Sequence, residues 1–100
     1  MELSKEITKA VTTGKVVIGT DKSIKTIKRG QAKLVIVASN VARDTLGDIR
    51  HYTKLANVKV HFFDGDSAAL GLVCGKPFSL SVLTVIEPGN SNVLSIEAQR

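Results

Sequence analysis

The chain has 100 residues, 43% of them apolar, which predicts one folded domain over 1–100 and excludes intrinsic disorder. The single cysteine, Cys74, excludes a disulfide framework and a cysteine-rich zinc module, and it indicates a reducing compartment. The N-terminus lacks the apolar core of a signal peptide, and no apolar run approaches the roughly 20 residues that cross a bilayer. We therefore expect a cytoplasmic protein with no membrane partner.

The surplus of basic over acidic side chains is confined to the first two-fifths of the chain. Lys and Arg outnumber Asp and Glu by 14 to 9, so the net charge is +5. Residues 1–40 hold eight basic and three acidic side chains, whereas residues 41–100 hold six of each sign. This distribution predicts an anionic partner for the N-terminal part.

Helices and strands alternate in the first part of the chain. Apolar residues at helical spacing predict helices, and short runs of β-branched residues predict strands that are covered on both faces. Glycines after the periodic segments predict where the helices end. In chain order we predict a helix from Leu3 that stops at Gly14, a strand over 16–18, a helix opened by Gly19 and Thr20-Asp21 that stops at Gly30, and a strand over 34–38.

The alternation continues to the C-terminus and fixes the predicted fold class. In chain order we predict a helix over 46–56 that ends near Asn57, a strand over 58–63, a short helix capped by Ser67 that stops at Gly75, a strand over 80–86, a turn at 88–90 and a short strand over 93–96. Such alternation indicates an α/β protein, a three-layer α/β/α sandwich with a mixed sheet of four to five strands.

The segment from Gly19 to Gly30 predicts a phosphate-binding surface. Glycine after a buried strand allows close approach of the backbone to a ligand, and the following helix N-terminus offers unpaired N–H groups. A basic stripe follows, with no acidic residue between Lys22 and Lys33. Its members are Lys22, Lys25, Lys28 and Arg29, opposite the apolar Ile24 and Ile27. The simpler interpretation is a solvated helix face.

Two further stretches are candidates for the same surface. Ser39 and Asn40 follow a buried strand at the end where open α/β sheets place ligands, and Arg43 comes shortly after. Ser-Asn is also a favoured turn pair. In the stretch 75–79, Lys76 and Phe78 flank Pro77, a combination that suits neutralising a phosphate and stacking an unpaired base. Alternatively, Phe78 is a core residue of the fourth strand.

Catalysis has weaker support. Cys74 with His51 or His61 suggests a nucleophile, but its spacing on the Leu70/Val73 face fits a small buried hydrophobe better. Asp64 and Asp66 flank a glycine in a turn, which favours loop and capping roles over paired catalytic carboxylates. The histidines lack ligand-like spacing, so we expect no metal and no cofactor.

The chain resembles the "thirty-e" family of archaeal and eukaryotic large-subunit ribosomal proteins, within the superfamily of kink-turn RNA-binding proteins. The resemblance runs from about Leu3 to Ile96 and rests on several short motifs in a shared order and spacing. These are Thr13-Gly14-Lys15, Gly19 with Lys25 and Gly30, the segment 32–38, Leu70-Gly71, the segment 74–78, and the segment 87–91.

The resemblance implies a structural RNA-binding protein whose glycine turn and following helix dock on a sharply bent internal loop with tandem sheared G·A pairs. The loop before the fourth strand would contact an unpaired nucleotide. Transferred position by position, the resemblance implies that the following residues contact RNA: Gly19, Thr20, Asp21, Lys22, Lys25, Ser39, Asn40, Lys76, Pro77 and Phe78.

One position departs from the pattern of the wider superfamily, which has Asn-Glu where this chain has Asp21-Lys22. An asparagine amide donates to guanine O6, whereas an ionised aspartate only accepts. We therefore expect Asp21 to cap the helix, with base recognition passing to backbone groups and Lys22.

The predicted function is a non-catalytic constituent of the large ribosomal subunit that binds a bent, kink-turn-like loop of ribosomal RNA. We expect no small-molecule substrate and a monomer when the protein is free. The alternatives are a non-ribosomal regulator or guide-RNA ribonucleoprotein component that uses the same surface, and a small nucleotide-binding α/β enzyme.

Overall fold

Four helices and four strands alternate along residues 3–87 and Gly89, the part of the chain that the computed structural model describes. The elements are α1 (Leu3–Thr13), β1 (Lys15–Ile18), α2 (Thr20–Lys28), β2 (Leu34–Val37), α3 (Arg43–Ala56), β3 (Lys59–Phe62), α4 (Ser67–Val73) and β4 (Val82–Glu87). The predicted strand over 93–96 lies outside the described residues, as does the predicted turn at 88–90 apart from Gly89. Within the described residues, no helix is long and apolar enough to cross a membrane.

The strands form one mixed sheet in the order β1-β4-β2-β3. β2 and β3 pair in parallel, whereas β4 lies between β1 and β2 and is antiparallel to both. Ile18 at the end of β1 pairs with Leu83, and Val37 at the end of β2 pairs with Val82. The predicted α/β class with a mixed sheet is confirmed.

Alternating side chains of the strands create a core on each face of the sheet. Leu34 and Ile36 of β2 join a cluster with residues of α1 and α4, whereas Val35 and Val37 join a second cluster with α2 and α3. Burying such aliphatic side chains stabilises a fold by about 1.5–3 kcal/mol each. The helices are thereby held as two layers around the sheet, which confirms the three-layer arrangement.

Three predicted boundaries were wrong. α3 begins at Arg43 rather than near Leu46, because the Leu46 N–H already donates to the Ala42 carbonyl at 2.9 Å. Asp66, not Ser67, caps α4, because its side-chain oxygen accepts a hydrogen bond of 2.9 Å from the Ala69 N–H. β4 begins at Val82 rather than Leu80, because the Leu80 N–H donates to the Ser67 carbonyl and its side chain packs in the α1–α4 cluster. Leu80 therefore belongs to the packing of α4 and not to the sheet.

The two ends of the sheet differ in what they carry. We call the end where β1, β2 and β3 finish and β4 begins the carboxyl end, and the opposite one the amino end. Because α2 and α3 follow β1 and β2, both helices start at the carboxyl end and run back to the amino end. α3, with 14 residues, spans about 21 Å at 1.5 Å per residue.

Candidate RNA interface

Three predicted stretches meet at the carboxyl end. The Gly19 N–H donates to the Val82 carbonyl at 3.1 Å, and on the other side of β4 the Ala38 N–H donates to the Ser81 carbonyl at 2.9 Å. The loop 75–81 therefore enters the sheet between the end of β1 and the end of β2. Two strand spacings separate Gly19 from Ser39, which is about 10 Å.

The turn into α2 is a backbone feature that requires glycine. Gly19 has φ 102° and ψ 157°, a region that is essentially restricted to glycine, and none of the described residues occupies the place where its side chain would be. Its carbonyl accepts the first helical hydrogen bond, from the Ser23 N–H at 3.1 Å. The backbone N–H groups of residues 20–22, which lie between Gly19 and Ser23, have no hydrogen-bond acceptor within the described chain. These N–H groups are therefore available to an anion.

Asp21 lies inside the helix and does not cap it, so the predicted capping role was wrong. The cap position belongs to Gly19, and Asp21 is the second residue of α2 with an exposed side chain. A carboxylate there interacts favourably with the helix dipole. Lys22, beside it, is also exposed, and Lys25 lies one helical turn further on. One carboxylate and one ammonium group thus flank the free amides.

Asn40 connects two of the loops at the carboxyl end. Its Oδ1 accepts a hydrogen bond of 2.8 Å from the Ser67 N–H, and its Nδ2 donates to the Ser67 Oγ at 3.3 Å. The neighbouring Ser39 N–H donates to the Gly65 carbonyl at 2.9 Å. The exposed Ser39–Asn40 turn is consequently tied to the start of α4 and held in one position.

Phe78 lies on the surface, so the alternative that it is a core residue was wrong. Its side chain is 54% exposed, and the Leu72 side chain near it is 76% exposed. They adjoin a pocket of about 260 Å³, smaller than the roughly 300–1,000 Å³ of drug-sized ligand sites. The pocket is lined by Ala68, Leu72, Lys76, Pro77, Phe78 and Ser79. An exposed ring beside an ammonium group suits a single base and its phosphate.

Gly71 positions the loop that carries Phe78. A methyl group added at Gly71 would overlap the Phe78 carbonyl oxygen and lie 3.1 Å from the Phe78 carbonyl carbon. The Gly71 carbonyl also accepts a hydrogen bond of 2.9 Å from the Lys76 N–H. The backbone of the loop thus packs directly on the backbone of α4.

Of the two remaining predicted site residues, one lies apart from the three stretches and one lies with them. Lys28 is the last residue of α2, about 12 Å along the helix from Thr20, and its Nζ lies 4.7 Å from the centre of the Tyr52 ring. Arg43 is the exposed first residue of α3 at the carboxyl end. The structure therefore places Arg43 at the same end as the three stretches and Lys28 at the opposite end.

The carboxyl end is not the positively charged part of the molecule. Its loops and the first turns of α2, α3 and α4 carry three cationic side chains and four carboxylates within the described residues. These are Lys22, Arg43 and Lys76, with Asp21, Asp44, Asp64 and Asp66. Backbone amides and shape, rather than net charge, distinguish this surface.

The groups considered for catalysis are poorly placed for it. Burial raises the pKa of the Cys74 thiol to about 11, although the charge of Lys76 opposes this shift. The thiolate is therefore scarce at neutral pH. His61 is buried, and Asp66 is occupied as a helix cap. Within the described residues, no cluster of His, Cys, Asp and Glu has the arrangement that holds a metal ion.

Comparison with known proteins places this architecture in a family. A profile of the ribosomal protein L7Ae/L30e/S12e/Gadd45 family matches residues 1–95. The chain belongs to this family. Among its relatives, large ribosomal subunit protein eL30 of Methanococcus vannielii is 50% identical over 96 residues, which are 96% of this chain and 91% of that protein. The eL30 protein of Methanosphaera stadtmanae is 45% identical over 97 residues, 97% of this chain and 99% of that protein.

Two residues that support the candidate interface were not among the predicted RNA-binding residues, although Ser67 was predicted as a helix cap and Gly71 as part of a family motif. Ser67 is held by Asn40 and accepts the Leu80 N–H through its carbonyl, and Gly71 receives the loop 75–81. A glycine inside a helix costs about 1 kcal/mol relative to alanine, so Gly71 is a position where close packing can be suspected from the sequence, although the same reasoning fails for Gly47. No local pattern marks Ser67, because its partners lie 27 and 13 residues away.

Proposed function

We propose that this protein is a non-catalytic constituent of the large ribosomal subunit that binds a bent, kink-turn-like internal loop of ribosomal RNA. The observation that carries the proposal is the position of β4 between β1 and β2, because it gathers Gly19, Asn40 and Phe78 at one end of the sheet. The ribosomal role is supported by relatives of 45–50% identity that are named large ribosomal subunit protein eL30.

The chemistry of the carboxyl end suits a bent RNA better than a smooth duplex. The free amides at residues 20–22 would bind a phosphate, and Lys22 and Lys25 would neutralise its neighbours. Phe78 would stack on a base that a sharp bend leaves unpaired. Since the end carries more carboxylates than cations, a straight backbone with evenly spaced phosphates gains little there.

The test of the ribosomal role is footprinting on total ribosomal RNA, together with sedimentation of the protein with large subunits at high salt. Protection of one bent internal loop and co-sedimentation are the expected results. Protection of no ribosomal RNA would overturn the proposal. Binding to an isolated kink-turn hairpin without co-sedimentation would leave the RNA chemistry intact and reject the ribosomal role.

A matched pair of lysines tests which part of α2 contacts the loop. Lys25→Ala should lower affinity for the kink-turn hairpin at all sequences tested and reduce the slope of log affinity against log salt by about one. Lys28→Ala removes the same charge from the same helix, but at the amino end of the sheet, and should leave this slope unchanged. Equal effects of the two variants would mean that only the net charge of the protein matters.

A further inference from the structure

The surplus of positive charge lies at the amino end of the sheet, away from the carboxyl end where the proposed kink-turn site is. Six exposed cationic side chains lie there, with a single carboxylate, Glu87, among the described residues. The six are Lys15, Lys28, Arg29, Lys33, Lys54 and Lys59. None of them forms an ion pair within the described part of the chain.

The sheet and the two helices bring these six side chains to one end. Lys59 begins β3 and pairs in register with Leu34, the first residue of β2, at the strand spacing of about 5 Å. Lys33 immediately precedes Leu34, so it lies at the same end of the sheet as Lys59. Lys15 begins β1 on the far side of β4 and pairs with Glu87. Lys28 and Lys54 lie in the last turns of α2 and α3. The cations therefore extend across the whole width of the sheet.

Stabilisation of the helices explains only some of these charges. Cations in the last turn of a helix interact favourably with its dipole, which accounts for Lys28 and Lys54. Lys15, Lys33 and Lys59 precede or begin strands, where no such dipole exists. Their mutual repulsion is tolerated in the folded chain and is relieved when an anion binds.

A groove between α2 and α3 adjoins the charges and is unlike an ordinary solvated surface. It has a volume of about 480 Å³ and is lined by Ile27, Lys28, Tyr52, Leu55 and Ala56. Leu55 is 73% exposed there, and the Lys28 ammonium group lies over the Tyr52 ring. Apolar and aromatic surface beside cations is the combination that binds sugar and base faces next to a phosphate.

We propose that the amino end of the sheet is a second RNA-binding surface. It binds the phosphate backbone of an RNA segment that is separate from the RNA bound at the carboxyl end. Five of its six cations are lysines, whose ammonium groups act as point charges without the fixed geometry of a guanidinium group. Binding there is therefore independent of sequence. Since α3 spans about 21 Å between the two ends, one molecule bridges two RNA segments.

The experiment compares two triple variants that lose the same charge from opposite ends. The first is Lys28→Gln/Lys33→Gln/Lys59→Gln at the amino end. The second is Lys22→Gln/Arg43→Gln/Lys76→Gln at the carboxyl end. The probes are a plain RNA duplex without an internal loop and a hairpin that contains one kink-turn. Each affinity is measured between 50 and 200 mM KCl, after circular dichroism has shown that both variants are folded.

The amino-end variant should bind the plain duplex at least tenfold more weakly at 100 mM KCl, with a salt slope lower by about two to three. Its affinity for the kink-turn hairpin should change less than threefold, because charges farther apart than about 10 Å are screened at this salt. The carboxyl-end variant should bind the kink-turn hairpin at least tenfold more weakly, and its affinity for the plain duplex should change less than threefold. Wild-type protein should also form a ternary complex with both RNAs in native gels.

Unchanged duplex affinity of the amino-end variant would overturn the proposal. Equal losses from both variants would also overturn it, since net charge alone would then explain the binding. Tighter binding of polyglutamate than of the duplex would assign the surface to an acidic protein instead. If wild type binds the duplex through the amino end but no kink-turn hairpin, the second surface stands and the proposed kink-turn function fails.

Discussion

Replacing Gly71 by alanine tests the close packing of the loop 75–81 on α4. The added methyl group would overlap the Phe78 carbonyl oxygen and lie 3.4 Å from the Ser79 Cα. These neighbours are backbone atoms, so a rotamer change cannot relieve the overlap and the loop has to move away from the helix. Because the Lys76 N–H bonds to the Gly71 carbonyl at 2.9 Å, that movement also strains or breaks a hydrogen bond.

The expected loss of stability is the difference between two opposing effects. Alanine favours a helix over glycine by about 1 kcal/mol, whereas forcing an extra methyl group into packed backbone costs about 1–3 kcal/mol. The upper part of that range applies, because backbone and a hydrogen bond are displaced together. We therefore expect Gly71→Ala to lower the free energy of unfolding by about 1–2 kcal/mol.

Gly47 provides a matched control in the same chain. It lies in the interior of α3 and is exposed, and no atom of the described chain outside its own helical turns lies within 4 Å of the place where a methyl group would be. Gly47→Ala should therefore raise the free energy of unfolding by about 1 kcal/mol. Urea denaturation of both variants, followed by circular dichroism, measures the contrast of roughly 2–3 kcal/mol. If both alanines stabilise the protein equally, the loop does not pack on α4 as described.

Other changes test the site and the core separately. Phe78→Ala should weaken binding to a kink-turn hairpin by about 1–3 kcal/mol with little change in the urea midpoint, because the ring is half-exposed; a loss of stability with full affinity per folded molecule would make it structural. Thr84→Val should raise the free energy of unfolding by about 1 kcal/mol, since the buried Thr84 hydroxyl has no hydrogen-bond partner among the described residues. Thr53→Val should not raise the free energy of unfolding in the same urea titration, because the Thr53 hydroxyl donates to the Ile49 carbonyl at 2.8 Å. Equal stabilisation by the two valines would contradict the conclusion that only the Thr84 hydroxyl is unsatisfied. Burial raises the pKa of Cys74 from 9.0 to about 11, so the contribution of the protonated thiol to stability is complete below pH 9 and is lost as the pH rises towards 11. Between pH 8 and pH 10 the free energy of unfolding should therefore fall by about 1.4 kcal/mol. Urea denaturation of Cys74→Ala at the same two pH values should not show this fall.

Local chemistry was sufficient to predict most elements of the fold. The β-branched runs at 16–18 and 34–38 form strands, and Gly19 and Gly30 bound α2 as expected, both with positive φ. The beginning of β4 was missed because Leu80 has the same apolar character as a strand residue. Only its hydrogen bond to Ser67, 13 residues earlier, shows that it packs with α4.

The site was predictable as three separate stretches but not as one surface. Spacing along α2 identifies its exposed side, yet it does not show that Lys22 and Lys28 lie at opposite ends of the sheet. The same limit applies to α3, where Leu55 is exposed and the polar Thr53 is buried through its bond to the Ile49 carbonyl. Which end a residue occupies depends on strand order and direction, and these are set by long-range pairing.

The central position of β4 has a consequence for synthesis of the chain. Until β4 has emerged from a translating ribosome, β1 and β2 have no common neighbour, and the amides of Gly19 and Ala38 lack the carbonyls of Val82 and Ser81. Such long-range pairing forms late, because the chain between must first be closed into loops. A nascent chain therefore contains the basic segment of α2 before the loops of the proposed kink-turn site are held together. The arrangement of loops at the carboxyl end is therefore completed only after β4 has been made and has paired with both neighbours.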